Sequence, residues 1–378
     1  MKKQKICIIG DGLTGLTAAM ALSELNIETH LVINSKKSSK ILDKRTTAVS
    51  PSNFQFLTKL LKKNSSKFFW PSSRIDLYYE QDDKYLHFMN FENQGKNLMY
   101  VIENHILKKI LLKKLKNQKN LKIISEPASK IDEKKSVVFF KQKMISYDLI
   151  ILCVGKKSRL TEKLVGKRFI ENNYNEIAFT TIVKHKSKID GSKQYFLNEG
   201  PLAILPINQN QFSLIWSVSK KYNLNNINYL IKEKLKKILK FEKKYEISEI
   251  DFFPISFKLN INFSRKNVLI LGEGSYNIHP VAGQGFNLIL RDIKKLYEEI
   301  DKYLNLGLQL KDSSIFSKYT SYRKPENLIF GLGINFVNRF FKYDKITYQA
   351  KKILLKDIDK LKFLKDLNLK ISDTGIFK

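Results

Sequence analysis

The chain has 378 residues, with 43% hydrophobic and 12% aromatic content, which is enough for a well-buried core and excludes a disordered polymer. Its 68 Lys+Arg against 36 Asp+Glu give a formal net charge of +32. That excess points to an anionic membrane surface or acidic partner, or to the coding bias that also crowds the chain with Lys, Asn and Ile; without an RNA- or DNA-binding motif, nucleic acid is not an expected partner.

From the N-terminus, KICIIG (5–10) is an apolar strand, and Gly10, Gly12 and Gly15 follow in GxGxxG spacing. Leu13, Leu16, Ala19, Met20, Leu22 and Leu25 recur at helical period, and Glu28 to Ile33 form a second strand. Strand, glycine turn, helix and strand in about 30 residues are the context that makes the motif a dinucleotide signature. Gly10 permits the turn, Gly12 lets backbone N–H groups approach a pyrophosphate, and Gly15 brings the helix close to the strand. Where an acidic residue usually grips the ribose, this chain has Asn34, which can hydrogen-bond a hydroxyl without the strengthening charge. A βαβ unit without a nucleotide is the competing reading.

Further along, DLIILCVG (148–155) reads as a buried strand ending at Gly155. IAFTTIV, QYFLNEGPLAILPI and FSLIWSVS are β-rich runs broken by turn residues, and residues 225–244 read as a Lys-rich amphipathic helix. NVLIL (267–271) is another buried strand that ends in Gly272 and Glu273. After a loop containing His279 and Pro280, Gly283-Gln284-Gly285 opens the helix FNLILRDIKKLYEEI. A second strand–glycine–helix unit, far from the first, suits a long cofactor held at two places, and its positive helix end would favour negative charge on a reduced flavin. Between 346 and 367, Ile346, Ala350, Ile353, Leu354, Ile358, Leu361, Leu364 and Leu367 fall near helical period with lysines between them. That segment reads equally as a basic helix on an anionic membrane or as a terminal helix packed on the core.

Cys7 and Cys153 both sit in apolar strands, no signal-peptide pattern is present, and no apolar run reaches the ~18–20 residues that cross a bilayer. Two reduced thiols in a cytoplasmic protein, with any membrane contact peripheral, are the expectation. His30, His87, His105 and His185 show no ligand spacing, so no metal site is expected, and neither a GxSxG elbow nor a Cys–His pairing suggests hydrolysis. His279 reads either as an acid or base or as a structural histidine in a tight loop.

GEGSYNIHPVAGQGFNLILRD (272–292) resembles the C-terminal flavin motif of the ubiquinone-biosynthesis hydroxylases, within the group A flavin monooxygenases. DKRTTAVSPSNFQFL (43–57), YVIENHILKKIL (100–111), EGPLAILPINQNQFSLIWSVS (199–219), FFPISFKL (252–259) and YTSYRKPENLIFGLGINFVNRFF (319–341) are similar to further family segments in the same order. The resemblance implies an α/β fold: a discontinuous Rossmann-like FAD-binding domain (1–70, 100–165 and 264–300), an inserted, mainly antiparallel substrate-binding sheet (71–99 and 166–263) and a helical C-terminus (301–378). It implies FAD held by Gly10, Gly12, Gly15, Asn34, Arg45, Gly155, Gly272, Glu273, Pro280, Gly283, Gln284, Gly285 and Asn287. Pro201, Leu205, Pro206, His279 and Pro280 are candidate pocket walls, and no side chain is expected to act as nucleophile. The implied chemistry is reduction of FAD by NADH or NADPH, reaction with O₂, and hydroxylation of a polyprenylated phenol through a flavin hydroperoxide, within a ubiquinone-biosynthesis complex at the inner face of a membrane. Two departures bear on this: Val154 replaces the Asp of the family's middle motif, and Glu273 replaces a second Asp. Competing readings are a related flavin oxidoreductase on another aromatic or lipid substrate and a non-catalytic FAD-binding scaffold.

Overall fold

The computed structural model describes residues 3–33, 43–81, 84–93, 95–155, 158–165, 169–187, 189–222, 226–239, 245–260, 262–279, 283–311, 314–342 and 362–376. Asn34, Pro280 and most of the 346–367 stripe lie outside these residues. Eight helices are used below: α1 (Leu13–Leu22), α2 (Pro51–Leu61), α3 (Asn104–Leu115), α4 (Arg159–Val165), α5 (Ile227–Leu239), α6 (Gly285–Asn305), α7 (Ile315–Lys342) and α8 (Lys362–Thr374).

A six-stranded sheet runs in the order Ser264–Arg265, Val268–Ile270, Leu149–Leu152, Lys5–Ile9, Glu28–Val32 and Leu121–Ile124, parallel except at its first strand. Its central strands are continuous apolar runs because helices cover both faces, so alternation with polar residues is not required. Ile6, Ile8, Leu149, Ile150, Ile151 and Leu269 are wholly or almost wholly buried, each contributing about 1.5–3 kcal/mol relative to exposure. Helix α1 lies against both α3 and α6. Gly15 lets the same helix sit close on the turn that ends the strand Lys5–Ile9: a Cβ there would stand 2.0 Å from the Gly10 carbonyl oxygen.

The second large sheet has the path Tyr276–Asn277, Asp251–Asn260, Phe169–Lys184, Gln211–Ser219, Pro201–Asn208, Ser192–Phe196, Arg74–Gln81 and Lys84–Glu92. Its pairings are antiparallel except where Ser192–Phe196 meets Arg74–Gln81. Strand alternation sorts its two faces. Phe212, Leu214, Trp216 and Val218 share a core with Ile231 and Leu235 of α5, while Ile215 points to the other side. The mixed α/β class and the antiparallel sheet agree with the sequence reading, as do the C-terminal helices α7 and α8.

A buried ionic network fastens α7 to α6. Arg323 Nε donates to Asp292 Oδ1 at 2.5 Å, its Nη1 donates to Glu326, and its Nη2 donates to Asn327 Oδ1 at 3.0 Å. Tyr276 donates to Asp292 Oδ2 at 2.5 Å, and Arg291 donates to Glu326 at 3.1 Å and to the Ile371 carbonyl at 3.2 Å. Helix α8 reaches α2 as well: the Ser52 N–H and hydroxyl donate to the two oxygens of Asp373 at 2.7 and 2.8 Å. A carboxylate from a distant helix thus satisfies a first-turn N–H of α2.

Candidate cofactor and substrate cavity

One cavity of about 1810 Å³ lies between the two sheets. Gly10, Gly12, Arg45, Gly155, Glu273, His279, Gly283 and Gly285 line it, drawn from segments that are remote in sequence. Gly10 has φ of +134°, and a Cβ there would meet the Cys153 carbonyl oxygen at 2.3 Å, so its role is in the turn itself. Gly12, the N-cap of α1, has φ of −77° and nothing within 4 Å of a Cβ; its space is the cavity. The N–H groups of the first turn of α1 have no acceptor within the helix, and the helix dipole adds positive potential there.

The two strand–glycine–helix units touch. Gly272, at φ +82°, sits where a Cβ would stand 2.8 Å from Thr14 Cγ2 of α1. A Cβ on Gly274 would stand 3.0 Å from the Val154 carbonyl oxygen, so the middle segment meets the same point. Gly15, Gly272, Gln284 and Asn287 stand behind the wall. Asn287 Nδ2 donates to the Ala48 carbonyl at 2.9 Å, while its Oδ1 accepts from Ser50 N–H at 2.9 Å and Asn53 Nδ2 at 3.1 Å. It clamps the start of α6 to the segment leading into α2. The Gln284 Oε1 is buried with no hydrogen-bond partner among the described residues.

Arg45 is oriented from two sides. Asp43 accepts from its Nε and Nη2, both at 2.7 Å, and the guanidinium lies 5.1 Å over the Phe253 ring. Partial burial raises the Asp43 pKa, but the hydrogen bond and charge of Arg45 outweigh it and hold the carboxyl below its usual range. His279 is fully buried in the wall, and its Nε2–H donates to Glu176 at 2.9 Å. Burial pushes the imidazole pKa down to about 3, so it is neutral at ordinary pH. The strand carrying Glu176 bulges between Asn173 and Glu176, with Asn175 at φ +54°, which re-aims the carboxylate inward. Tyr174 sets its ring edge-on to His279 at 5.0 Å between centroids and donates to Asn335 of α7 at 3.0 Å.

The cavity lining is chemically mixed: Ile215, Phe253, Ile278, Phe286 and Ile289 are apolar, while Lys108, Lys109, Lys113 and Lys116 line it together with Pro127 and Ala128. Pro201, Leu205 and Pro206 are not on this wall, a correction to the sequence reading. Leu205 packs beneath Ala48 and Val101, and Pro206 alternates onto the face shared with Leu202 and Ile204. The neighbouring strand supplies Ile215 in their place. Asp43 and Phe253 stand in segments the sequence reading singled out, yet their pairing with Arg45 had no local signal; Glu176 gave none because a bulge aims it. Among the described residues no His/Cys/Asp/Glu cluster could hold a metal ion.

No family model matches the chain. It is 26% identical to the ubiquinone biosynthesis monooxygenase COQ6 of Dictyostelium discoideum, over 90% of this chain and 85% of that protein. It is 25% identical to the ubiquinone hydroxylase UbiL of Rhodospirillum rubrum (87% and 79%), and 22% identical to the 3-demethoxyubiquinol 3-hydroxylase of Escherichia coli (88% of each). The fold is shared with p-nitrophenol 4-monooxygenase from Pseudomonas putida, at a TM-score of 0.79 and 13% identity over 100% of this chain and 99% of that one. Klebsiella pneumoniae HpxO, solved with FAD and uric acid, matches at 0.74 and 14% identity over 98% and 96%. The chain is thus related over nearly its whole length to ubiquinone-biosynthesis hydroxylases and has the fold of flavin monooxygenases.

Proposed function

We propose that this chain is an FAD-dependent monooxygenase that hydroxylates the aromatic ring of a polyprenylated phenol in ubiquinone biosynthesis, with NADH or NADPH as reductant and O₂ as oxidant. The observation that carries this reading is the meeting of two remote glycine turns, Gly10–Gly15 and Gly283–Gly285, around one elongated cavity in a chain related to such hydroxylases. The residues present fit FAD: Gly12 and Gly155 leave the space beside their Cα atoms open, and the N-termini of α1 and α6 both border the cavity. When bound, FAD supplies hydride acceptance from the reductant and activation of O₂ for insertion of one oxygen atom into an electron-rich ring.

The chain's own residues bind, orient and exclude water. The first turn of α1 would hold the pyrophosphate, and Arg45, oriented by Asp43 and Phe253, would supply a cation on the same cavity wall. Gly283 and Gly285, backed by the Asn287 clamp, would hold the flavin ring through their backbone, with Pro280 three residues earlier in the sequence assigned to the same role. Neutral His279, tied to Glu176, holds the wall without adding charge beside the ring. Ile215, Phe253, Ile278, Phe286 and Ile289 would exclude water from the part of the cavity they line. Residues 1–70, 100–165 and 264–300 form the FAD-binding part in this reading, and 71–99 with 166–263 the substrate sheet. Cytoplasmic placement, peripheral contact with an anionic membrane and assembly into a ubiquinone-biosynthesis complex complete the proposal; among the described residues no helix is long and apolar enough to cross a membrane.

The test is anaerobic. The purified protein is mixed with NADH or NADPH, with and without a short-chain polyprenyl phenol, while the flavin's visible band is followed. Bleaching accelerated by the phenol is expected and shows that Val154 is tolerated. Flavin that binds and never bleaches overturns the hydroxylase reading in favour of a non-catalytic flavoprotein or a different electron donor.

A further inference from the structure

Helix α7 turns two different faces to its surroundings. On its inner side, a Cβ at Gly331 would stand 3.2 Å from the Phe257 ring and 3.7 Å from Ile278, a cavity-wall residue. Asn335 bonds Tyr174, whose ring abuts His279. On its outer side, Ile329, Leu332, Phe336 and Val337 are 48%, 44%, 70% and 38% exposed. Those positions, with Gly333, follow the i, i+3, i+4, i+7, i+8 spacing of one continuous helical stripe. An apolar stripe left in water over more than two turns marks a surface that something covers. The inner side of the same helix meets Ile278 of the cavity wall, so the stripe stands one helix thickness from that wall.

Charge selects the occupant. Among the described side chains of α7, the exposed ionised residues are Lys318, Lys324 and Arg339, all cations. The helix's one acid, Glu326, is buried and paired with Arg291 and Arg323. A second copy set face to face would bring these cations together, in a chain that already carries +32. An anionic bilayer surface instead accepts apolar side chains at its acyl boundary and attracts the flanking cations, each worth roughly fivefold in partitioning.

We propose that the outer face of α7, centred on Leu332 and Phe336, is the docking surface of this protein on an anionic lipid bilayer. It places α7 between the membrane and the cavity wall at Ile278. The link to a lipid-borne substrate rests on the hydroxylase reading; the docking itself does not.

The test is co-sedimentation of the full chain with phosphatidylcholine vesicles, with and without phosphatidylglycerol. Wild type is compared with Leu332→Ser/Phe336→Ser and with Lys324→Glu/Arg339→Glu. All four side chains are exposed, and thermal melting checks that each variant folds as wild type does. The apolar double variant is expected to bind anionic vesicles at least roughly tenfold more weakly. The charge variant is expected to lose binding on the phosphatidylglycerol vesicles alone. Wild-type binding by both variants overturns the proposal. A wild-type dimer in solution that the apolar double variant converts to monomer also overturns it, in favour of a second copy. Turnover of a water-soluble, short-chain phenol without vesicles is read separately. If both proteins turn it over equally while the variant has lost vesicle binding, docking is supported. If wild type binds vesicles but turns over no phenol, the hydroxylase reading fails and docking stands.

Discussion

Replacing Gly10 and Gly12, one at a time, by alanine should have opposite consequences, although both belong to one GxGxxG motif. At Gly10 the added Cβ meets a backbone oxygen at 2.3 Å, and φ of +134° is strained for any L side chain. Cys153 directly follows the strand Leu149–Leu152, and its N–H is bound to the Ile9 carbonyl at 2.8 Å, so its own carbonyl cannot readily yield and the variant should lose at least about 2 kcal/mol of folding stability. At Gly12, φ of −77° suits alanine and nothing stands within 4 Å. The small loss of N-cap preference and the gain from a less flexible unfolded chain should cancel to within about 1 kcal/mol. Its Cβ, however, occupies the space through which the backbone approaches a pyrophosphate. Losing one charge-assisted hydrogen bond there costs about 1.5–3 kcal/mol, a roughly 10- to 150-fold rise in the FAD dissociation constant. Urea unfolding of the apoprotein and quenching of flavin fluorescence on titration measure the two effects separately. A Gly12→Ala protein that binds FAD as wild type does would refute the placement of the pyrophosphate at α1.

Arg323→Met removes the partner of two buried carboxylates, Asp292 and Glu326, and should cost about 3–5 kcal/mol by urea unfolding. A loss under about 1 kcal/mol would show that Tyr276 and Arg291 alone satisfy the network. His279 carries a pH signature. Because its folded pKa is depressed to about 3, the unfolded chain takes up a proton first as pH falls through about 6.5, and stability drops by up to about 1.4 kcal/mol per pH unit down to about 3. His279→Gln should lose that slope, so the stability gap between the two proteins narrows on acidification; parallel profiles would exclude a buried neutral imidazole.

Much of this architecture is legible in the chain. The apolar runs at 6–9, 149–152 and 268–270 read as buried strands, since no alternation survives in them, and the sheet pairs them in parallel. The glycine spacings at 10–15 and 283–285 mark two turns that open helices, and at Gly10 and Gly15 the backbone does approach closely. Gly10, Gly12, Gly155, Glu273, His279, Gly283 and Gly285 do line one cavity. The sequence pattern misplaced the other wall. Pro206 alternates onto the face away from the cavity with Leu202 and Ile204, whereas Pro201 and Leu205 share the face of Ile215 but do not reach the lining, which Ile215 supplies from the neighbouring strand.

What a sequence carries is period and spacing; what it lacks is the partner across space. Glu176 finds His279 only because a bulge turns it, 103 positions away along the chain. Arg323 finds Asp292 only after α7 folds back on α6. The charge of +32 is a property of composition, but its meeting with an apolar stripe on α7 is decided by which helix face the fold leaves bare. Local backbone preference and hydrophobic period act over a few residues and can be read from them; contacts between distant segments are settled by packing, and only the tertiary structure displays them.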